Sequence, residues 1–318
     1  MVTLVLGNGF DKCLGWKTGY SDFLNSSFFP KNNKWKKSGM YNAIVNDAIA
    51  KEDSWGGIEE SLERYAMLPE TAHTFEEDLE FYNCLCFSFR LYLGSEVLRE
   101  GEGANLEYRI SARDSCSVDF IMEPLFFDSA INNVISFNYT DFGRIAKGVI
   151  KEYDGTDANV RRIQRIIDSI DFRYLHRRED GRMVLGISSD AVLQDYRYDY
   201  YKKSHIAIPV SFYDILLDSQ TLIFWGFSFS KCDQPYFNDF FRHISKPEEG
   251  KNKRTIFLVD YDDASHKKCL SRIETMLGGD LSSLCCKHEV IEVNTNRGVS
   301  SREFANMLLY LRAKISPF

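Results

Sequence analysis

Short runs of apolar residues, each ended by glycine, asparagine or another polar residue, recur along the chain. Met1 to Leu6 is the first, partly β-branched and stopped by Gly7, which is the pattern of a buried strand. Strand-like runs return at Val134–Phe137, Phe172–Leu175, Met183–Ile187, Thr221–Trp225, Thr255–Val259 and Glu289–Val293. Helical periodicity lies between several of them, over Phe142–Ile150, Asn159–Ile170, Gln234–Ile244, Ala264–Leu277 and Ser301–Ile315. Short strands alternating with amphipathic helices predict an α/β fold, a mostly parallel sheet with helices on both faces. Right-handed crossovers then make it a Rossmann-like, doubly wound layer.

Residues 20–127 break this rhythm. Ile58, Leu62 and Tyr65 share a helical face, and Phe81–Leu98 carries apolar residues at three- and four-residue steps, so both predict helix. No convincing strand stands out there. The stretch reads as a mostly helical insertion after the first strand, within one domain spanning 1–318. Asp11 to Phe23 fits a loop and a helix start.

Composition narrows the function classes. The 318 residues are 44% hydrophobic and 27% charged, as in a globular chain. A net charge of -7 argues against broad binding to nucleic-acid backbones. No apolar run approaches the ~20 residues of a membrane-spanning helix. The start lacks the basic residues and small-residue cleavage site of a secretory signal. A cytoplasmic protein with its eight cysteines reduced is expected. No CxxC pair exists, and Cys84/Cys86 and Cys285/Cys286 are spaced as ordinary thiols, so no metal site is expected.

In a doubly wound sheet, ligands bind at the carboxyl ends of the strands. The first strand is followed by Gly7-Asn8-Gly9-Phe10-Asp11, the second by Asn138-Tyr139-Thr140-Asp141. His176 ends the third, Gly226-Phe227-Ser228 follows the fifth, and Asp260 closes the sixth. Gly7-Asn8-Gly9 permits a sharp turn and close approach to a phosphate, or is an ordinary strand-to-helix turn. Lys12 stands where the dinucleotide fingerprint has its third glycine, which disfavours a nicotinamide dehydrogenase. Asn138 offers a donor and an acceptor for a water or a sugar hydroxyl, or caps the next helix. His176 suits general-base work, or is a half-buried structural histidine. Asp233 sits near a helix start, where a carboxylate caps. Trp55 and Glu59 either face the cleft together or anchor the core. The stretch Tyr196–Lys203 mixes aromatics with bases and reads as a mobile lid or a partner-facing loop.

These pieces, in this order, resemble the AbiH family of bacterial phage-abortive-infection proteins. Leu6-Gly7-Asn8-Gly9-Phe10-Asp11 with Gly15, Thr18, Tyr20, Asp22 and Phe23 is similar to its opening signature. Trp55 and Glu59, Phe137-Asn138-Tyr139-Thr140, His176, and Gly226-Phe227-Ser228 with Asp233 fit its later blocks. The family is in turn similar to SIR2-like NAD-consuming enzymes. That likeness implies Asn138 and His176 as the catalytic pair, with Gly7, Asn8, Gly9, Phe10, Asp11 and Thr140 on the cofactor-binding side. It places Gly226 and Ser228 at a phosphate or the adenosine, with Asp233 in the same block, and Asp260 at the adenine ribose. NAD+ is then the substrate, and no separate cofactor is implied. Sirtuin deacylases carry a zinc ribbon with two CxxC pairs, absent here. They have Asp where Thr140 stands, and Gly where Arg177 follows His176. Hydrolysis of NAD+ therefore fits better than deacylation.

An unregulated NAD hydrolase would kill its host. The isolated chain is accordingly expected to be weak or silent until a phage cue, a homo-oligomer or a partner defence protein completes the site. Two other readings stand beside this one: a nucleotide-binding sensor or scaffold subunit without turnover, and a nucleic-acid-directed toxin resting on the Tyr196–Lys203 stretch alone.

Overall fold

The computed structural model describes residues 1–50, 57–100, 106–108, 115–122, 131–153, 157–175, 185–203, 211–246 and 253–315. Six strands form one parallel sheet: β1 (Val2–Leu6), β4 (Asn133–Ser136), β5 (Asp171–Tyr174), β6 (Thr221–Trp225), β7 (Thr255–Asp260) and β8 (Glu289–Asn294), in the order β5-β4-β1-β6-β7-β8. Every pairing in it is parallel. The remaining strands, β2 (Leu98–Glu100) and β3 (Leu106–Tyr108), make a separate antiparallel pair.

Alternation along the strands sends side chains to two cores. Leu4, Leu6, Ile223 and Trp225 pack on one face, Val5, Leu222 and Phe224 on the other. The first face is covered by helices Phe142–Tyr153 and Arg302–Ile315, the second by Asn238–Ser245 and Asp263–Met276. The helices sit within a few residues of the boundaries their periodicity predicts. The exception is Gln234–Ile244, which divides into a 3-10 turn (Gln234–Tyr236) and Asn238–Ser245.

Between β1 and β4 lie α1 (Asn8–Cys13), α2 (Tyr20–Asn25), α3 (Gly39–Ala50), α4 (Gly57–Ala66), α5 (Phe75–Val97) and α6 (Cys116–Met122), together with the β2–β3 pair. That pair corrects the expectation of a strand-free stretch. A third cluster, including Tyr20, Phe23, Phe81, Phe89 and Tyr198, holds much of this layer together. The run Met183–Ile187 is also corrected: of its described residues, Ile187 alone pairs, in a single bridge to Lys202. No described helix is long and apolar enough to cross a membrane.

The chain runs from β1 outward to β4 and β5, then returns to the other side of β1 as β6. The sheet therefore changes direction between β1 and β6, and a ligand crevice is expected at their carboxyl ends.

Candidate active site

The turns after β1 and β6 interlock backbone on backbone. Gly7 N–H donates to Trp225 O (2.8 Å), and Gly9 N–H donates to Gly226 O (3.1 Å). A Cβ on Gly7 would stand 2.4 Å from Gly226 O, and one on Gly226 would stand 2.2 Å from Gly9 Cα. Gly226 also has a φ of 57°, which favours glycine. Close approach thus explains these glycines, but the approach is to each other. The amides of Gly7 and Gly9 serve the neighbouring turn, which corrects the expectation that they hold a phosphate. Phe10 is a core residue, edge-on to Phe142 (5.3 Å) and Trp225 (5.4 Å).

Asn138, just past β4, is buried against the first turn. Its Nδ2 donates to Gly7 O (3.1 Å) and Asp11 Oδ1 (2.9 Å). Two acceptors on that side fix the amide orientation. Its Oδ1 is buried without a hydrogen-bond partner among the described residues. Thr140 donates to the same Asp11 carboxylate (2.9 Å). Asp141 caps the following helix, accepting from Arg144 N–H (3.2 Å) and Tyr174 OH (2.7 Å). Capping thus falls to Asp141 and leaves Asn138 to the glycine turn. His176, and Trp55 with it, lie outside the described residues.

A cleft of about 1000 Å³ opens along the ends of β1, β6, β7 and β8, at the upper end of ordinary ligand pockets. Asn8, Gly9, Gly226, Ser228 and Asp260 line it, with Lys12 and Lys268 as cationic walls. Burial pushes the Asp260 carboxyl up to about 6, against the pull of His266. Cys13 also lines the cleft. A hydrogen bond from Cys116 pulls its thiol down to about 6, over the opposing effect of burial. Asn138, Asp11 and Thr140 are not on the cleft wall.

Beside the cleft is a buried ion cluster. Lys203 is fully buried, and its Nζ lies 3.1 Å from Glu59 Oε2 and 2.6 Å from Asp233 Oδ1. Glu59 Oε1 accepts from Gly186 N–H (3.1 Å), and Asp233 Oδ2 accepts from Ser230 Oγ (2.6 Å). Burial raises the Glu59 carboxyl despite Lys203. Burial also opposes the Lys203 charge, but Asp233 and Glu59 outweigh it and hold the ammonium well above the usual lysine value. Asp233 makes no side-chain capping bond to the turn it precedes, so its carboxylate serves Lys203 instead. The stretch before Lys203 is a 3-10 helix, Tyr196–Tyr201, with Tyr198 and Tyr201 buried. Tyr198 donates to Asp78 on α5 and packs its ring, tilted, against His73 (4.2 Å). This corrects the expectation of a mobile lid. No pattern in the sequence marked Lys203, whose carboxylate partners lie 144 and 30 residues away.

The model of the family described as Bacteriophage abortive infection AbiH matches residues 3–255. The chain belongs to the AbiH family. The match covers the glycine turns, Asn138, His176 and the whole Glu59–Lys203–Asp233 cluster, and it carries a role in phage abortive infection. No curated protein matches the chain.

Proposed function

We propose that this AbiH-family protein is an NAD+ glycohydrolase that cleaves the nicotinamide–ribose bond and aborts infection by depleting NAD+. The observation that carries the reading is Asn138. Its donor side is held by Gly7 O and Asp11, and its acceptor oxygen is buried and unpartnered among the described residues. A buried polar atom without a partner is costly, and a ribose hydroxyl or the attacking water would satisfy it. Lys12 and Lys268 offer charge for a pyrophosphate, and Asp260 offers an acceptor for the adenine-ribose hydroxyls.

The chemistry needs little from the protein at the leaving group, because nicotinamide departs as a neutral ring. Asn138 orients the sugar and the water, and His176 holds the ribose by accepting a hydrogen bond from one of its hydroxyls. Asn138 is buried and set back from the cleft wall. The interlocked turns must therefore part before a dinucleotide reaches it. A phage cue, self-association or a partner protein supplies that opening, so the isolated chain is weak or silent.

A second reading, a nucleotide-binding sensor without turnover, draws on the closed Asn138–Asp11–Thr140 network. Chromatography of nucleotides from phage-challenged cells separates the two. The hydrolase reading expects nicotinamide and ADP-ribose to accumulate with wild type and not with a folded Asn138→Ala variant. Binding of NAD+ or ADP-ribose without nicotinamide release selects the sensor.

A further inference from the structure

A small cavity of about 10 Å³ lies against the glycine turn, which is the space of one water molecule. Asn8, Tyr20, Glu59, Ser228 and Asp233 are on its wall. Asn8, Gly226 and Ser228 line both this cavity and the large cleft, so the two adjoin. The cavity is polar enough to hold a water by several hydrogen bonds.

Glu59 is on this wall, and Lys203 Nζ, 3.1 Å from its Oε2, and Gly186 N–H, 3.1 Å from its Oε1, hold its carboxylate in place. A second observation is a polar group left open beside the cluster. The Tyr236 hydroxyl feels Lys203, Asp233 and Glu59, yet it is buried with no hydrogen-bond partner among the described residues.

We propose that Glu59 is the general base of the hydrolysis, taking a proton from a water held in this cavity, with Lys203 as its positioning residue. The inference rests on the NAD+ glycohydrolase reading. The water oxygen bonds to the ribose carbon that bears nicotinamide. The carbon–nitrogen bond breaks with its electron pair going to the pyridine ring. The water proton passes to Glu59 and then to solvent. His176 is left with the ribose hydroxyl.

Among the described residues, the titratable groups facing Glu59 are Lys203, Asp233, Cys232, Tyr236, Tyr20 and Tyr139. Burial raises its carboxyl above the usual range, so the rate should fall on the acid side as Glu59 takes up a proton.

The test measures nicotinamide release against pH for protein recovered from phage-challenged cells. It compares wild type, Glu59→Gln and the double variant Glu59→Gln/Lys203→Met. The double variant leaves the net charge of the cluster unchanged, so it keeps the test alive if Glu59→Gln fails to fold. The expected result is a fall of ~10²–10⁴-fold in kcat, little change in KM, and loss of the acid-side limb. A folded variant within a few-fold of wild type with the same pH profile overturns the proposal, as does a wild-type profile flat on its acid side. Wild type that releases no nicotinamide after phage challenge overturns the glycohydrolase reading itself, a distinguishable failure.

Discussion

Lys203→Met removes the ammonium that bonds both Glu59 and Asp233 and leaves two buried carboxylates beside each other. The methionine fills much of the lysine volume, so the change is chiefly electrostatic. Breaking a buried ion cluster by deleting one partner costs about 3–5 kcal/mol. At about 2.1 cal/mol/K of unfolding entropy per residue, a chain of this length should lose roughly 5–8 °C of Tm. The loss should depend on pH, with a sign fixed by Glu59. Its carboxyl is raised above 4.5 in the folded protein even with Lys203 present, and without Lys203 it rises further. The folded state then binds more protons than the unfolded one. Stability therefore falls as pH rises from about 4.5 through the raised value, and levels off above it. Thermal melts at stepped pH read this directly: the Tm gap between wild type and variant should widen from mildly acidic to mildly alkaline buffer. Adding Glu59→Gln to Lys203→Met should recover a large part of the gap. A gap that stays constant with pH, or a variant more stable than wild type at neutral pH, would refute the electrostatic reasoning.

Gly226→Ala should destabilise by about 2–4 kcal/mol, from the left-handed backbone and a collision with Gly9 that backbone atoms cannot avoid. Gly94→Ala, in open space on α5, should instead stabilise by about 0.5–1 kcal/mol, and chemical denaturation of both measures the contrast. ADP-ribose affinity, read by calorimetry, should weaken as pH falls through about 6, where Asp260 takes up its proton; Asp260→Asn should bind more weakly and without that pH step. Cys13 should be the thiol that alkylates at the lowest pH, with its rate rising through about 6, and Cys116→Ala should move that midpoint upward by removing the bond that favours the thiolate.

The sheet was legible in the sequence because each strand carries its own local signal. Leu4 and Leu6 face one core and Val5 the other, so the first strand had to be apolar on both sides. The glycine turns were legible as points of close approach, but not what they approach: Gly7 and Gly226 meet only because β1 and β6 pair in register. The β2–β3 pair escaped because strands of three residues are too short to show alternation. The Tyr196–Lys203 stretch was misread because its aromatics and bases look like surface. Tyr198 instead answers to Asp78, and Lys203 to Glu59 and Asp233, partners that only the tertiary fold brings close. Asp233 looked like a cap for the same reason.

The most direct measurement is a crystal structure of the activated protein with ADP-ribose bound. The dinucleotide remnant should lie across the ends of β1, β6 and β7, with Asn138 Oδ1 within about 3 Å of a ribose hydroxyl and Asp260 at the adenine-side diol. A ligand bound elsewhere, or one in the cleft with Asn138 still sealed behind the glycine turn, would contradict that placement.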